Sequence, residues 1–133
     1  DKDRKELLKE LSSEATLTFF KEIINTGKPI GCIGYGLVSL FQAIESRDGN
    51  WLFKKFNVTG VPILAECRES HFSHLPFIVE ETVRFLKGSF ITSQDVVCDF
   101  MIVDRNLITA QNDSSLMNVL KNMAHLISED PSF

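Results

Sequence analysis

The stretch with the clearest potential for chemistry reads Lys28-Pro29-Ile30-Gly31-Cys32-Ile33-Gly34-Tyr35-Gly36-Leu37-Val38-Ser39-Leu40. A short apolar run stops at closely spaced glycines and resumes with helical spacing, as a buried strand does when it turns sharply into a helix. Where such a turn is a nucleophile elbow, its tip carries a Ser or Cys lifted out of the sheet by strained backbone. Here the tip is Gly34, followed by Tyr35 and Gly36, so the turn keeps the architecture and lacks the nucleophile. A tip residue needs positive φ, which glycine adopts at little cost. The glycine spacing fits neither GxGxxG nor GxxxxGK, so it does not mark a phosphate loop. Free N–H groups at the start of the following helix still suit a small anion. Thr109, Gln111 and Asn112 form a polar loop at a strand end, where α/β pockets collect ligands. The candidate ligand-binding set is therefore Gly34, Tyr35, Gly36, Gln111 and Asn112. The plainer alternative is that the 109–112 loop only caps the last helix and satisfies backbone groups.

Other chemistry-bearing residues are scattered. Cys32 lies two residues before the turn, on the same strand face as Gly34 but lower in the sheet. A thiol there is packing, because apolar surroundings raise its pKa. Cys67, beside Glu66 and Arg68, is the fallback nucleophile, and Cys98 has no motif around it. His71 and His74 stand at i and i+3, a spacing that can share a helix face, but no third metal ligand follows. They read as polar loop residues near a pocket mouth and as the fallback acid/base pair, since histidine titrates near neutrality. His125 belongs to the surface or boundary of the last helix. The three cysteines, odd in number and without CxxC spacing, fit a reduced cytoplasmic compartment better than a disulfide framework, and they give no zinc site. No cofactor or metal is expected.

The elements that would position these groups follow from hydropathy. Of the 133 residues, 44% are hydrophobic, enough for one domain spanning residues 1–133 with a real core. Net charge is −4 with no basic stripe, which gives direct nucleic-acid binding little support. No apolar run approaches the roughly 18 residues that a bilayer-spanning helix needs. Leu7, Leu8 and Leu11 make a short apolar face. Leu17, Phe20 and Ile24 mark an amphipathic helix over 14–25 that Gly27 closes. A strand over 29–33 and a helix over 37–44 flank the glycine turn, and Arg47-Asp48-Gly49-Asn50 is a turn. Further on, the pattern predicts a short strand near Val58, a helix over 75–87 and β runs at 90–92 and 100–103. Asp104-Arg105-Asn106 turns into a strand at 107–109, making a hairpin. The final helix covers 114–127, with a frayed tail over 128–133. This alternation predicts α/β, a layered sheet covered on both faces.

Several segments together resemble the ThiJ/PfpI superfamily, the class I glutamine amidotransferase-like fold. They are Lys28-Pro29-Ile30 with its strand and small-residue turn, Val58-Thr59-Gly60, Ala65-Glu66-Cys67, and Leu75-Pro76-Phe77-Ile78-Val79-Glu80. The most specific is Val103-Asp104-Arg105-Asn106-Leu107-Ile108-Thr109-Ala110-Gln111-Asn112-Asp113-Ser114-Ser115, similar to the family's closing hairpin, loop and helix start. The resemblance implies a flavodoxin-like layered sandwich with a mostly parallel sheet. It also implies that this chain is the C-terminal part of such a domain, without the N-terminal βαβ portion of roughly 30 or more residues. Active members of the family place Cys at the elbow tip, commonly followed by His; here those positions are Gly34 and Tyr35. The expectation is a non-catalytic domain acting as an oligomeric interaction subunit of a cytosolic assembly, either self-associated or within a larger complex. The rivals are a hydrolase, deglycase or glyoxalase-type enzyme using Cys67 or a His-activated water, and a small-anion metabolite sensor. A domain without its first unit is also expected to leave Leu7, Leu8, Leu11 and Phe19 beside uncovered apolar surface.

Overall fold

The computed structural model describes residues 2–129. Helix α1 (Lys2–Leu11) is mostly polar and docks through Leu8, with Arg4 reaching Glu81 at 3.2 Å and lying over the Phe85 ring. Helix α2 (Glu14–Thr26) begins at Ser13, whose hydroxyl accepts the Thr16 N–H, and ends at Gly27 in the left-handed conformation (φ 70°). Its Leu17 and Phe20 are buried. Leu8 belongs to the main core at 3% exposure, whereas Leu11 and Phe19 are exposed.

Strand β1 (Ile30–Ile33) runs into a 3-10 segment, Gly34–Gln42, in place of the α-helix expected over 37–44. Three of its four buried residues, Gly34, Leu37 and Leu40, recur every third position, which a helix with three residues per turn aligns on one face; Phe41 is buried beside Leu40. The chain then turns through Gly49 (φ 69°), and Ile44 bridges Trp51. After β2 (Asn57–Val58) and the one-turn α3 (Ile63–Glu66), α4 (Val79–Phe85) is shorter at its front than the sequence predicts. Pro76 holds Leu75 extended (ψ 127°), so the helix cannot begin before it.

Strand β3 (Ser89–Phe90) pairs parallel with β2. Strands β4 (Met101–Asp104) and β5 (Leu107–Ala110) form the expected hairpin, with Arg105 at φ 56° in the turn. Strand β5 also pairs parallel with β1, giving the sheet order β1-β5-β4. A 3-10 turn, Asp113–Ser115, leads into α5 (Leu116–Glu129). Ser128 and Glu129 remain helical where fraying was expected; residues 130–133 of that tail lie outside the described ones.

The sheet is covered on both faces. Val119, Met123 and Leu126 of α5 pack on Ile108 and Ala110. On the other side, Leu37, Phe41, Trp51, Phe53, Val58 and Val83 belong to the larger core, where edge-on contacts link Phe41, Trp51, Phe53 and Phe56. The indole of Trp51 donates to the Leu40 carbonyl at 2.7 Å and so anchors the end of the 3-10 segment. No helix among the described residues is long and apolar enough to cross a membrane.

Candidate functional site

Parallel pairing of β1 with β5 aligns Cys32 with Thr109 and Ile33 with Ala110, which brings the end of β1 beside the Gln111 loop. The chain then turns at Gly34 with φ 57°, the positive value expected for an elbow tip. A Cβ built there would sit 3.4 Å from Val61 and 3.8 Å from the Gln111 carbonyl. Gly60 lies so close beneath that its own Cβ would meet the Gly34 carbonyl at 3.1 Å. The turn thus aims position 34 at a cavity of about 590 Å³ whose lining includes Tyr35, Gly36, Val61, Pro62, Val97 and Gln111. The geometry that would present a side chain is intact, and hydrogen occupies its place.

Around the cavity the sequence candidates divide. Gln111 is buried, and both the oxygen and the nitrogen of its amide are engaged. Its oxygen accepts from the Thr92 hydroxyl and the Ser93 N–H, and its nitrogen donates to the Asp95 carbonyl. Asn112 donates to the carbonyls of Val96 and Cys98 and accepts from the Ser114 N–H. These two side chains strap down the 92–98 loop, whose Val96 and Val97 form one wall. Thr109 is likewise engaged, accepting the Thr59 N–H at 2.9 Å.

Cys67, His71 and His74 are exposed and are not among the residues lining the cavity. His71 precedes a 3-10 turn, Phe72–His74, and the His74 ring shares a hydrogen bond with its neighbour Ser73 at 3.2 Å. Cys32 is buried, which pushes its thiol up to about 11 despite the nearby Ser39 hydroxyl. Cys98 meets the Ser93 hydroxyl at 2.9 Å. His125 faces Glu129 on the exposed side of α5. No group of three His, Cys, Asp or Glu among the described residues could hold a metal ion.

One residue carries more weight in the structure than its sequence context announced. Glu66, quoted above only as a flank of Cys67, is 2% exposed. One of its oxygens accepts the Val79 N–H at 3.4 Å at the start of α4, and Oε2 has no partner among the described residues. Glu80 answers from α4, accepting the Ile63 N–H at the start of α3 at 3.2 Å. Each short helix thus has its free N-terminal donor met by a carboxylate from the other. Burial pushes the Glu66 carboxyl up to about 6; the Val79 N–H opposes this, and Glu80 and Glu81 add to it. Burial raises the Tyr35 phenol, the hydrogen bond its hydroxyl donates to the Phe77 carbonyl at 3.2 Å opposes this, and the Glu66 charge adds a smaller rise. A buried acid therefore stands behind the second residue of the turn. The signal available in the sequence was a lone carboxylate at the end of an apolar run over 61–65.

No protein-family model matches the chain. It is similar to glutamine amidotransferase-like class 1 domain-containing protein 1 of Bos taurus, 32% identical over 120 residues, covering 90% of this chain and 54% of that one. The Danio rerio protein of the same name is 35% identical over 101 residues, 75% of this chain and 46% of its own. The chain spans about half the length of the curated relatives it matches. Among solved structures, one at 26% identity aligns with a TM-score of 0.77 over 88% of this chain and 52% of its own. The Rapid Encystment Protein 24 KDa of Francisella tularensis aligns at 0.76 with 19% identity, over 86% of this chain and 50% of its own. Glyoxalase III from Candida albicans aligns at 0.69 with 13% identity, over 78% and 45%. The chain is similar to the glutamine amidotransferase-like class 1 domain-containing proteins and shares the flavodoxin-like α/β fold of its ThiJ/PfpI-type structural neighbours.

Proposed function

We propose that this chain is the C-terminal part of a non-catalytic glutamine amidotransferase-like domain that serves as an oligomeric interaction subunit of a cytosolic assembly. The observation that carries the reading is Gly34 at φ 57°, aimed into the cavity from the position where active superfamily members place cysteine. The fallback groups Cys67, His71 and His74 do not line that cavity, so among the described residues they form no nucleophile–base pair there. General acid–base assistance alone supplies about 10²–10⁴-fold.

The test is turnover of methylglyoxal and of an amide substrate by the purified protein, with sedimentation run in parallel. Rates at background and a species heavier than 15.0 kDa are expected. Robust turnover abolished by Cys67→Ser would overturn the non-catalytic part, and a monomer would overturn the oligomeric part. A second reading, a small-anion sensor at Gly34, Tyr35 and Gly36, is favoured by a cavity of about 590 Å³, within the range of small-molecule sites. Against it stand the engaged amides of Gln111 and Asn112.

A further inference from the structure

A larger cavity than the one at the elbow lies elsewhere in the fold. About 830 Å³ opens between α1, the start of α2, the 44–51 turn and the end of α4. Its floor is apolar and buried, made by Leu8, Leu17, Trp51 and Leu86, each at 8% exposure or less. Its rim carries Lys5 and Lys9, one helical turn apart on α1, and Lys87 just past α4. None of these three lysines makes an ion pair or a side-chain hydrogen bond among the described residues. The rim acids are differently placed. Glu45 is held by Lys21 at 2.8 Å, and Asp48 accepts the Asn50 N–H at 2.9 Å. Glu14 is the remaining rim acid.

The backbone at Lys87 makes an independent point. Lys87 sits at φ 63°, left-handed, in the position after a helix that glycine ordinarily takes, although Gly88 is the next residue. Gly88 cannot yield its own place, since a Cβ there would lie 2.8 Å from both Trp51 and Val83. A side chain is therefore held in a strained conformation at the cavity mouth, and that side chain is a cation. The cap that ends α4, with the Lys87 N–H on the Arg84 carbonyl and the Gly88 N–H on the Val83 carbonyl, fixes that conformation and so places the Lys87 side chain.

We infer that this second cavity binds an organic anion with an apolar body, such as an aliphatic or aromatic carboxylate. The body lies on the Leu8–Leu17–Trp51–Leu86 floor and the charged head meets Lys5, Lys9 and Lys87. The inference is independent of the function proposed for the elbow. Its cavity is separate, and the ligand class follows from an apolar floor beneath unpaired cations.

Octanoate is the probe, titrated into the isotope-labelled protein at low salt and followed by amide chemical shifts, with octanol as the uncharged control. Saturable shifts are expected at Leu8, Leu17, Trp51 and Leu86. Octanoate should bind at least about fivefold more tightly than octanol, roughly what one ion pair contributes in water. Lys9→Glu should weaken octanoate by about fivefold or more on the same basis and leave octanol unchanged. Lys87→Gly removes the strain with the charge, so it should melt higher and bind octanoate more weakly, a combination that damage to the fold cannot produce. The inference is overturned if octanol binds as well as octanoate, if the shifts centre on Gly34 and Val97, or if millimolar octanoate gives no saturable shift.

Discussion

Replacing Glu66 by glutamine tests the electrostatic account of the site directly. The carboxyl is raised from 4.5 to about 6 in the folded protein, so folding favours its protonated form. Whatever stability this contributes is fully present below pH 4.5 and is lost as the pH rises through 6. A shift of about 1.5 units corresponds to about 2 kcal/mol between those limits. Glutamine keeps the oxygen that accepts the Val79 N–H and removes the titration. Its amide nitrogen lands where Oε2 has no partner, an offset of up to ~1 kcal/mol that does not vary with pH. The pH-dependent part is therefore diagnostic. Glu66→Gln should gain about 2 kcal/mol on the wild type between pH 4 and pH 7.5, equivalent to about 7 °C in melting temperature for a chain of this size. Urea denaturation at both pH values, read as midpoint and slope, measures it. Parallel wild-type and variant profiles across that window would refute the claim that a buried, half-partnered carboxyl sits behind Tyr35.

Other outcomes follow from the same geometry. Gly34→Val places a β-branched residue at φ 57° beside Val61 and should destabilise the domain by about 1–3 kcal/mol in urea titration. Gly88→Ala meets the Trp51 ring and Val83 in the core and should cost about 1–3 kcal/mol, whereas Gly31→Ala meets chiefly the flexible end of Met123 and should cost less. Iodoacetamide under native conditions should label exposed Cys67 well before Cys32, which is buried and raised to about 11; equal rates read by mass spectrometry would contradict the placement of β1.

What the sequence disclosed was governed by local rules. The 17, 20, 24 spacing, Gly27 and the Asp104-Arg105-Asn106 turn were each readable because capping, amphipathicity and hairpin geometry involve neighbours a few residues apart. The glycine turn was legible for the same reason, since only glycine sits cheaply at its tip. The 3-10 run escaped, because buried positions three apart look like an α-helical face until packing selects the tighter winding. Glu66 escaped for a deeper reason. Its significance is its burial against α4 and Tyr35, which is a property of the tertiary fold and not of the residues beside it. Gln111 and Asn112 line the cavity, but their partners in the 92–98 loop could not be read from composition.

The pairing of β1 with β5 fixes when the elbow can exist. The Asn106 amide reaches the Lys28 carbonyl across 78 residues, and the Ile30 N–H bonds the Asn106 carbonyl beside it. During synthesis at roughly 5–20 residues per second, β1 waits about 4–16 s for its partner strand to be made. Throughout that interval the apolar stretch over 30–41 lacks its β5 partner, so the segment that shapes the cavity is open to wrong pairing on that side during synthesis.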